Sequence, residues 1–312
     1  MQVDKELAEI APQKDMLLTI GVFDGVHLGH KYLISKLVEQ ARQQGLLSGV
    51  VTFRQHPLGV LSPETKLVCL TGVAEKTELI KKEGVDVVVA LSFTQELAQL
   101  SAREFVQLLK KHLRMKGLVV GPDFALGKGR KGTADALRRL GQEMGFSVTV
   151  VPPMKANGEV VSSTAIRNAL AVGDMARVAR MIGRPFSLRG RVVSGDSRGS
   201  TLGFPTANLE VEPRQALPAD GVYATMAYIE GKAYPAVTNI GWRPTFGGKE
   251  RTIETFILDY HGNLYGREFR IDIIERLRGE KRFAGPEDLK KQIAEDIRRG
   301  RDILASQSAR QA

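Results

Sequence analysis

The sequence predicts an α/β chain of two domains. A parallel α/β sheet over residues 1–183 is followed by an antiparallel β-barrel with a terminal helix over residues 184–312. Three observations predict it. In the first half, apolar β-branched runs alternate with amphipathic stretches at helical spacing, the order of a parallel sheet covered on both faces. Beyond Gly183 the strands are short, bounded by Gly, Pro, Asn and Asp, and follow one another without helices, as in a barrel or sandwich. The length of 312 residues suits two ordinary domains, and 43% hydrophobic with 26% charged residues supplies each with a core.

The elements follow in order. Leu17–Gly21 reads as a short buried strand. In Lys31–Gln44 the residues Leu33, Ile34, Leu37, Val38 and Ala41 share one helical face. Gly49–Phe53 is a strand, 74–83 a helix stopped by Gly84, and Val85–Leu91 a β-branched strand. Ser101 with Glu104 forms a capping box that opens a helix running to about Arg114. Leu118–Gly121 is a strand, Ala134–Met144 a helix and Ser147–Val151 a strand, and short helices follow at 163–171 and 174–182. The strands of the second half are 190–194, 221–230, 233–239, 252–259 and 268–274. Pro286 suits the first turn of a closing helix on which Leu289, Ile293 and Ile297 recur every four residues. The domain boundary is expected near Gly183–Phe186.

Charge and cysteine content bound the function classes. The formal net charge is +10, with 24 basic against 18 acidic residues in 1–183 and 21 against 17 in 184–312. A surplus spread in this way fits a solvated surface or sites for small anions, and argues against nucleic acid as a partner. The single cysteine, Cys69, excludes an internal disulfide and a cysteine zinc site, and is expected to be buried or incidental. It favours a reducing compartment, and with a polar N-terminus and no long apolar run the expectation is a cytoplasmic protein with no membrane segment.

Two segments carry chemistry. GVFDGVHLGH, Gly21–His30, joins the first strand to its helix. In parallel sheets, ligands sit where such loops leave the strands. His27 and His30 flank Gly29, which leaves room for a close approach. A helix N-terminus attracts phosphate, and two imidazoles there can stabilise charge developing in nucleotidyl transfer. The same residues could be turn histidines; as a metal site they supply too few ligands. Further on, Ser162, Ser163 and Thr164 open a helix with Arg167 one turn in, which reads as a second phosphate cradle or an ordinary cap. In the second half, GDSRGSTLGFPTAN spans Gly195–Asn208. Gly195, Gly199 and Gly203 allow a loop whose amides wrap phosphate. Thr206 and Asn208, two residues apart on an extended segment, offer oxygens suited to Mg²⁺ held jointly with ATP. The alternative there is a long surface turn. Gly127–Gly132 satisfies G-x-G-x-x-G but lacks the acidic residue of a dinucleotide site on the next strand, so it reads as a basic loop near a nucleotide or flavin phosphate.

Taken together, these strings resemble a known family. G-x-F-D-G-x-H-x-G-H at Gly21–His30, TFRQHP at Thr52–Pro57, GPDFALG at Gly121–Gly127 and SSTAIR at Ser162–Arg167 resemble the adenylyltransferase module of prokaryotic FAD synthetases. GFPTAN, GVYA at Gly221–Ala224, NIGWRPT at Asn239–Thr245 and LYG at Leu264–Gly266 are similar to the riboflavin kinase module. The resemblance runs from about residue 16 to 305. It implies a nucleotidyltransferase-type domain before a riboflavin kinase-like barrel, with riboflavin, FMN and ATP as substrates. It implies His27, His30 and Arg167 as catalytic in adenylyl transfer, with Gly21, Phe23, Asp24, Gly29, His56, Asp123, Ser162, Ser163 and Thr164 binding substrate. It implies Glu254, in TIETF, as the base of the kinase step, a role that strand alternation alone does not assign. Gly195, Gly199, Gly203, Phe204, Pro205, Asn239 and Arg243 would bind substrate there, with Thr206 and Asn208 on the metal. Gln55 stands where the family has proline, and Leu126 where it often has an aromatic residue. These two motivate an alternative, a riboflavin kinase whose first domain is weak or turned to another nucleotidyl transfer. A flavin-sensing nucleic-acid-binding regulator is a further alternative.

Overall fold

Local sequence accounts for the helix starts and stops that set the first half in place. Ser101 and Glu104 complete the expected capping box, and the helix it opens ends on Arg114 in the left-handed conformation. The computed structural model describes residues 1–62, 64–65, 67–194, 203–245 and 248–311, with the side chains of 243–250 and 308–311 outside that description. The chain divides into two compact units, Met1–Ser163 and Thr164–Ala312.

In the first unit the order is α1 (Gln2–Ala8), β1 (Met16–Ile20), α2 (Leu28–Gln43), β2 (Leu47–Phe53), α3 (Pro57–Leu61), α4 (Val73–Lys82), β3 (Val87–Leu91), α5 (Gln95–Gln99), α6 (Ala102–Leu113) and β4 (Met115–Val120). A small hairpin, β5 (Ala125–Leu126) and β6 (Gly132–Thr133), precedes α7 (Ala134–Met144) and β7 (Ser147–Val150), and a second, β8 (Lys155–Ala156) and β9 (Glu159–Val160), closes the unit. The five main strands are parallel in the order β3-β2-β1-β4-β7. The chain winds outward from β1 through β2 to β3, then returns to the other side of β1 with β4. The order therefore reverses between β1 and β4, and a crevice opens beyond their carboxyl ends. Every residue of β1 is buried. Leu18 and Ile20 join a core with α1, α5, α6 and α7, while Leu17 joins a second core with α2 and α4. This two-sided burial is what the unbroken apolar strands encode.

In the second unit, α8 (Ser163–Val172, whose first residue belongs to the first unit) and α9 (Met175–Ile182) lead to the strands. These are β10 (Phe186–Val193), β11 (Ala207–Glu210), β12 (Gly221–Ile229), β13 (Lys232–Thr245), β14 (Gly248–Ile257) and β15 (Glu268–Arg278). They close into a six-stranded antiparallel barrel in the order β10-β11-β14-β13-β12-β15. Closure removes the sheet edges. The sequence reading found five of these strands and missed β11, which has only four residues and follows the glycine-rich stretch. Inside the barrel Thr225, Thr238 and Thr255 are fully buried. Their hydroxyls form a ladder across three strands, with Oγ1–Oγ1 distances of 2.9 and 3.0 Å. The closing helix α10 (Pro286–Gln311) packs Leu304 and Ile297 on Val222, Ala224 and Val237 of the barrel wall. The buried Asp296 of α10 pairs with Arg278 of β15 at 2.9 Å. Among the described residues no helix is long and apolar enough to cross a membrane.

Candidate active sites

The loop between β1 and α2 is built against its own backbone preferences. Phe23, Gly25 and Val26 all have positive φ, at 51°, 83° and 38°. Such a φ is strained for a β-branched valine, and strain of this kind persists only where surrounding contacts fix it. Those contacts are present. Asp24, 5% exposed, accepts through Oδ1 from the amides of Leu70 at 2.8 Å and Thr71 at 3.2 Å. The Gly25 amide donates to Thr71 Oγ1 at 3.0 Å, and the Ser163 hydroxyl donates to the Asp24 carbonyl at 2.9 Å. The Val22 carbonyl accepts from Thr52 Oγ1 and from Lys76 Nζ, each at 3.1 Å.

The fixed loop delivers two imidazoles to the start of α2. His27 is the N-cap, its Nδ1 accepting from the His30 amide at 3.3 Å. An accepting Nδ1 leaves the neutral ring's proton on Nε2, as a donor. The rings of His27 and His30 stack at 3.6 Å, and Phe23 meets His30 edge-on at 5.1 Å. The Nδ1 atom of His30 is buried with no hydrogen-bond partner among the described residues. Burial first, then the neighbouring His27 and Lys76, hold His30 well below the ordinary histidine range, so the ring is neutral without a ligand. A buried polar atom without a partner, beside a helix N-terminus, fits an anionic ligand that supplies the missing interaction. Gly29 has a direct steric reason. A side chain there would lie 3.2 Å from Cε1 and Nδ1 of His27 and from the Val161 carbonyl oxygen. Gly21 likewise faces the Phe23 ring, 3.0 Å from where a Cβ would stand.

Other residues predicted for adenylyl transfer lie on loops and helix starts elsewhere in the chain. His56 follows β2 and repeats the capping device, its Nδ1 accepting from the Leu58 amide at 3.2 Å as N-cap of α3. Asp123 lies in the turn after β4, on the other side of the strand-order reversal, and its carbonyl accepts from Arg130 at 3.2 Å. That arginine belongs to Lys128–Arg130, a 3₁₀ turn between β5 and β6 in which Gly127, Gly129 and Arg130 have positive φ. Ser162 precedes α8, and Thr164 and Arg167 continue it in the second unit. Leu126 is 8% exposed within the core, and Gln55 Oε1 accepts from the Phe93 amide at 3.3 Å, so the fold itself uses both departures from the family pattern. Cys69 is a half-buried thiol outside any disulfide, next to the Leu70–Thr71 amides that hold Asp24.

Sequence reasoning missed Lys76. Its side chain is 5% exposed, and its ammonium reaches the carbonyls of Val22 and Phe53. Burial pulls it below the ordinary lysine range, while Asp24 and Cys69 act in the opposite sense. A signal was available: Lys76 stands four residues before Ile80, on the buried stripe of α4.

In the second unit the site is set by strand register. Asn208 of β11 and Asn239 of β13 both pair with Glu254 of β14. Directly opposed residues of antiparallel neighbours share a face, with Cβ atoms about 5 Å apart. The row Asn208–Glu254–Asn239 thus crosses three strands on the outer face, opposite the threonine ladder. Glu254 and Asn208 are half-buried and Asn239 is exposed. Thr206 precedes β11, half-buried, and Phe204 meets Phe256 edge-on at 5.7 Å, with Pro205 exposed between them in sequence. Gly203 has a φ of 87° and open space around it. Gly195, Gly199 and the Arg243 side chain lie outside the described residues. Among the described residues no group of three or more His, Cys, Asp or Glu could hold a metal by itself. A hydroxyl and an amide oxygen, on Thr206 and Asn208, are nonetheless donors of the kind a hard cation takes, with phosphate oxygens completing its shell.

Comparison with known proteins follows the same division. Residues 9–165 match the family model described as FAD synthetase, and residues 182–304 match that described as riboflavin kinase. The chain is 42% identical to a bifunctional riboflavin kinase/FMN adenylyltransferase of Escherichia coli strain K12 over 296 residues, 94% of each chain. It is 39% identical over 313 residues to the protein of that name from Pseudomonas fluorescens, covering 99% of this chain and 100% of that one. A crystal structure described as a macrolide-efflux protein from Streptococcus pneumoniae superposes with a TM-score of 0.88 at 32% identity, over 96% of this chain and 97% of that one.

Proposed function

The chain belongs to the bifunctional riboflavin kinase/FMN adenylyltransferase family, with a transferase for each step of FAD formation, and from that premise we propose how its residues divide the work. The functional division falls between Gly183 and Arg184, after the left-handed cap of α9.

In the kinase step Glu254 orients the 5′-hydroxyl of the riboflavin side chain and accepts its proton as the oxygen attacks the γ-phosphorus of ATP, giving FMN and ADP. Asn208 and Asn239, in register with Glu254, fix the direction of that carboxylate and contact the substrates. Thr206 and Asn208 would hold Mg²⁺ together with the ATP phosphates, and the cation would supply charge neutralisation on the transferred group. Gly195, Gly199 and Gly203 wrap the phosphates, and Phe204, Pro205 and Arg243 complete the pocket.

In the adenylyl step the FMN phosphate attacks the α-phosphorus of a second ATP, and pyrophosphate leaves with FAD formed. His27 and His30 donate to the triphosphate at the N-terminus of α2 and Gly29 lets it approach, while Ser162, just before α8, and Ser163, Thr164 and Arg167 of α8 are further residues for binding substrate. Asp24 holds the loop by its carboxylate, and Gly21 and Phe23 shape its floor. His56 and Asp123, at the exits of β2 and β4, position the flavin end. The observation that carries this reading is the stacked His27–His30 pair, with a buried His30 nitrogen that has no hydrogen-bond partner among the described residues. The protein acts on small molecules in the cytoplasm, a reading supported by the dispersed charge and the single cysteine.

Incubation with riboflavin, ATP and Mg²⁺ should yield both FMN and FAD. His30→Ala should stop at FMN, and Glu254→Ala should make FAD only when given FMN. Absence of FAD and pyrophosphate from FMN, ATP and Mg²⁺ with the wild-type protein would favour the kinase-only alternative.

A further inference from the structure

Lys76 has no part in the reactions above, yet its position is costly for a structural residue. An ammonium is buried at a penalty unless its hydrogen bonds are made, and a methionine would fill the same stripe of α4 with none. What the ammonium makes in return is specific. It donates to the Phe53 carbonyl at 2.7 Å and to the Val22 carbonyl at 3.1 Å. Phe53 is the last residue of β2, and Val22 is the second residue after β1. One side chain thus ties together the roots of two catalytic loops, one running Phe23–His30 and the other running through Arg54 and Gln55 to His56. The Val22 carbonyl is held a second time by Thr52 of β2. The charge also acts on Asp24 and on His30, the residues that anchor and carry the imidazole pair.

We propose that Lys76 is a positioning residue for adenylyl transfer, pinning the exits of β1 and β2 so that the loop carrying His27 and His30 and the loop carrying His56 keep a fixed spacing. The proposal rests on the reading that residues 1–163 supply the adenylyl-transfer loop. Arginine at this position preserves the cation and the donors, whereas methionine preserves only the volume.

The test uses the full chain with ¹⁵N-labelled histidine, FMN, ATP and Mg²⁺. Lys76→Met is expected to lower kcat for FAD formation about tenfold or more, since small misplacements of reacting groups are expensive. KM for ATP should move less than about twofold, and riboflavin phosphorylation should not change. The imidazole signals of His27, His30 and His56 should shift, while that of His112, bonded to Asp4 at 2.8 Å in the same unit, stays in place. Lys76→Arg should regain most of kcat. A wild-type kcat in Lys76→Met overturns the proposal. So does movement of His112 together with the other three, the mark of general unfolding, and so does a folded Lys76→Arg no faster than Lys76→Met. No FAD from the wild-type protein overturns the underlying reading first, and is seen before any variant is made.

Discussion

The two proposed sites are built by opposite means for one task, holding a polyphosphate still. The first is a loop at the strand-order reversal of a parallel sheet, with three positive φ values within four residues and side-chain hydrogen bonds arriving from partners 30 to 139 positions distant. The second is a row of side chains set by the register of three paired strands. Loop geometry is imposed from outside and depends on its staples. Register geometry comes with the ladder itself and tolerates the loss of any one contact. The contrast teaches where each activity is vulnerable: the adenylyl site through distant residues that touch no substrate, the kinase site chiefly through the acting side chains.

The largest expected effect tests the register side. Glu254→Gln keeps the row in place and removes the base, so riboflavin phosphorylation should fall about 10²- to 10⁴-fold with FAD formation from FMN unchanged, read by separate product assays. His30→Ala comes next. Loss of one donor to developing charge should cost about 10²- to 10³-fold in FAD formation and leave phosphorylation intact, measured as pyrophosphate release. Gly29→Ala sharpens the loop side, because the new methyl presses on the His27 ring; a displacement of a few tenths of an ångström should lower kcat for FAD formation about tenfold. An equally small change in the barrel should act on stability alone. Thr238→Val leaves the hydroxyls of Thr225 and Thr255 without their shared partner, so calorimetry should show a loss of about 1–3 kcal/mol, with phosphorylation unchanged below the transition.

The smallest effect is a pH dependence. His30 is held below its unfolded value of 6.5, so the folded and unfolded chains bind protons alike above that pH. As pH falls below 6.5 the unfolded chain takes up a proton that the folded one refuses, and stability is lost, at no more than about 1.4 kcal/mol per pH unit for one group. The melting temperature should be flat above pH 6.5 and decline between about 6.5 and 5, less steeply in His30→Gln and in the presence of ATP. Loss of stability of equal slope in His30→Gln would assign the effect to other groups.

Much of this was legible in the sequence because the signals are local. Alternating apolar runs and helices gave the parallel sheet, and the Ser101–Glu104 pair gave a helix start. Long-range facts had no local signal. Nothing near Asp24 says that its carboxylate takes the amides of Leu70 and Thr71, or near Glu254 that Asn208 and Asn239 stand opposite. Strand β11 escaped because four residues are too few to show a period. Helix α3 escaped because its cap is a histidine rather than a serine, threonine, aspartate or asparagine. Lys76 escaped because a lysine is read as surface unless the stripe it sits on is read first.

The row Asn208–Glu254–Asn239 gives the barrel site a parity. Along β14, Glu254 faces outward and Thr255 inward, so adding or removing one residue between the site and the turn would exchange them. A carboxylate would then enter the threonine ladder, and a hydroxyl would stand where the base belongs. The length of β14 can therefore change only in steps of two without inverting which residues face the site.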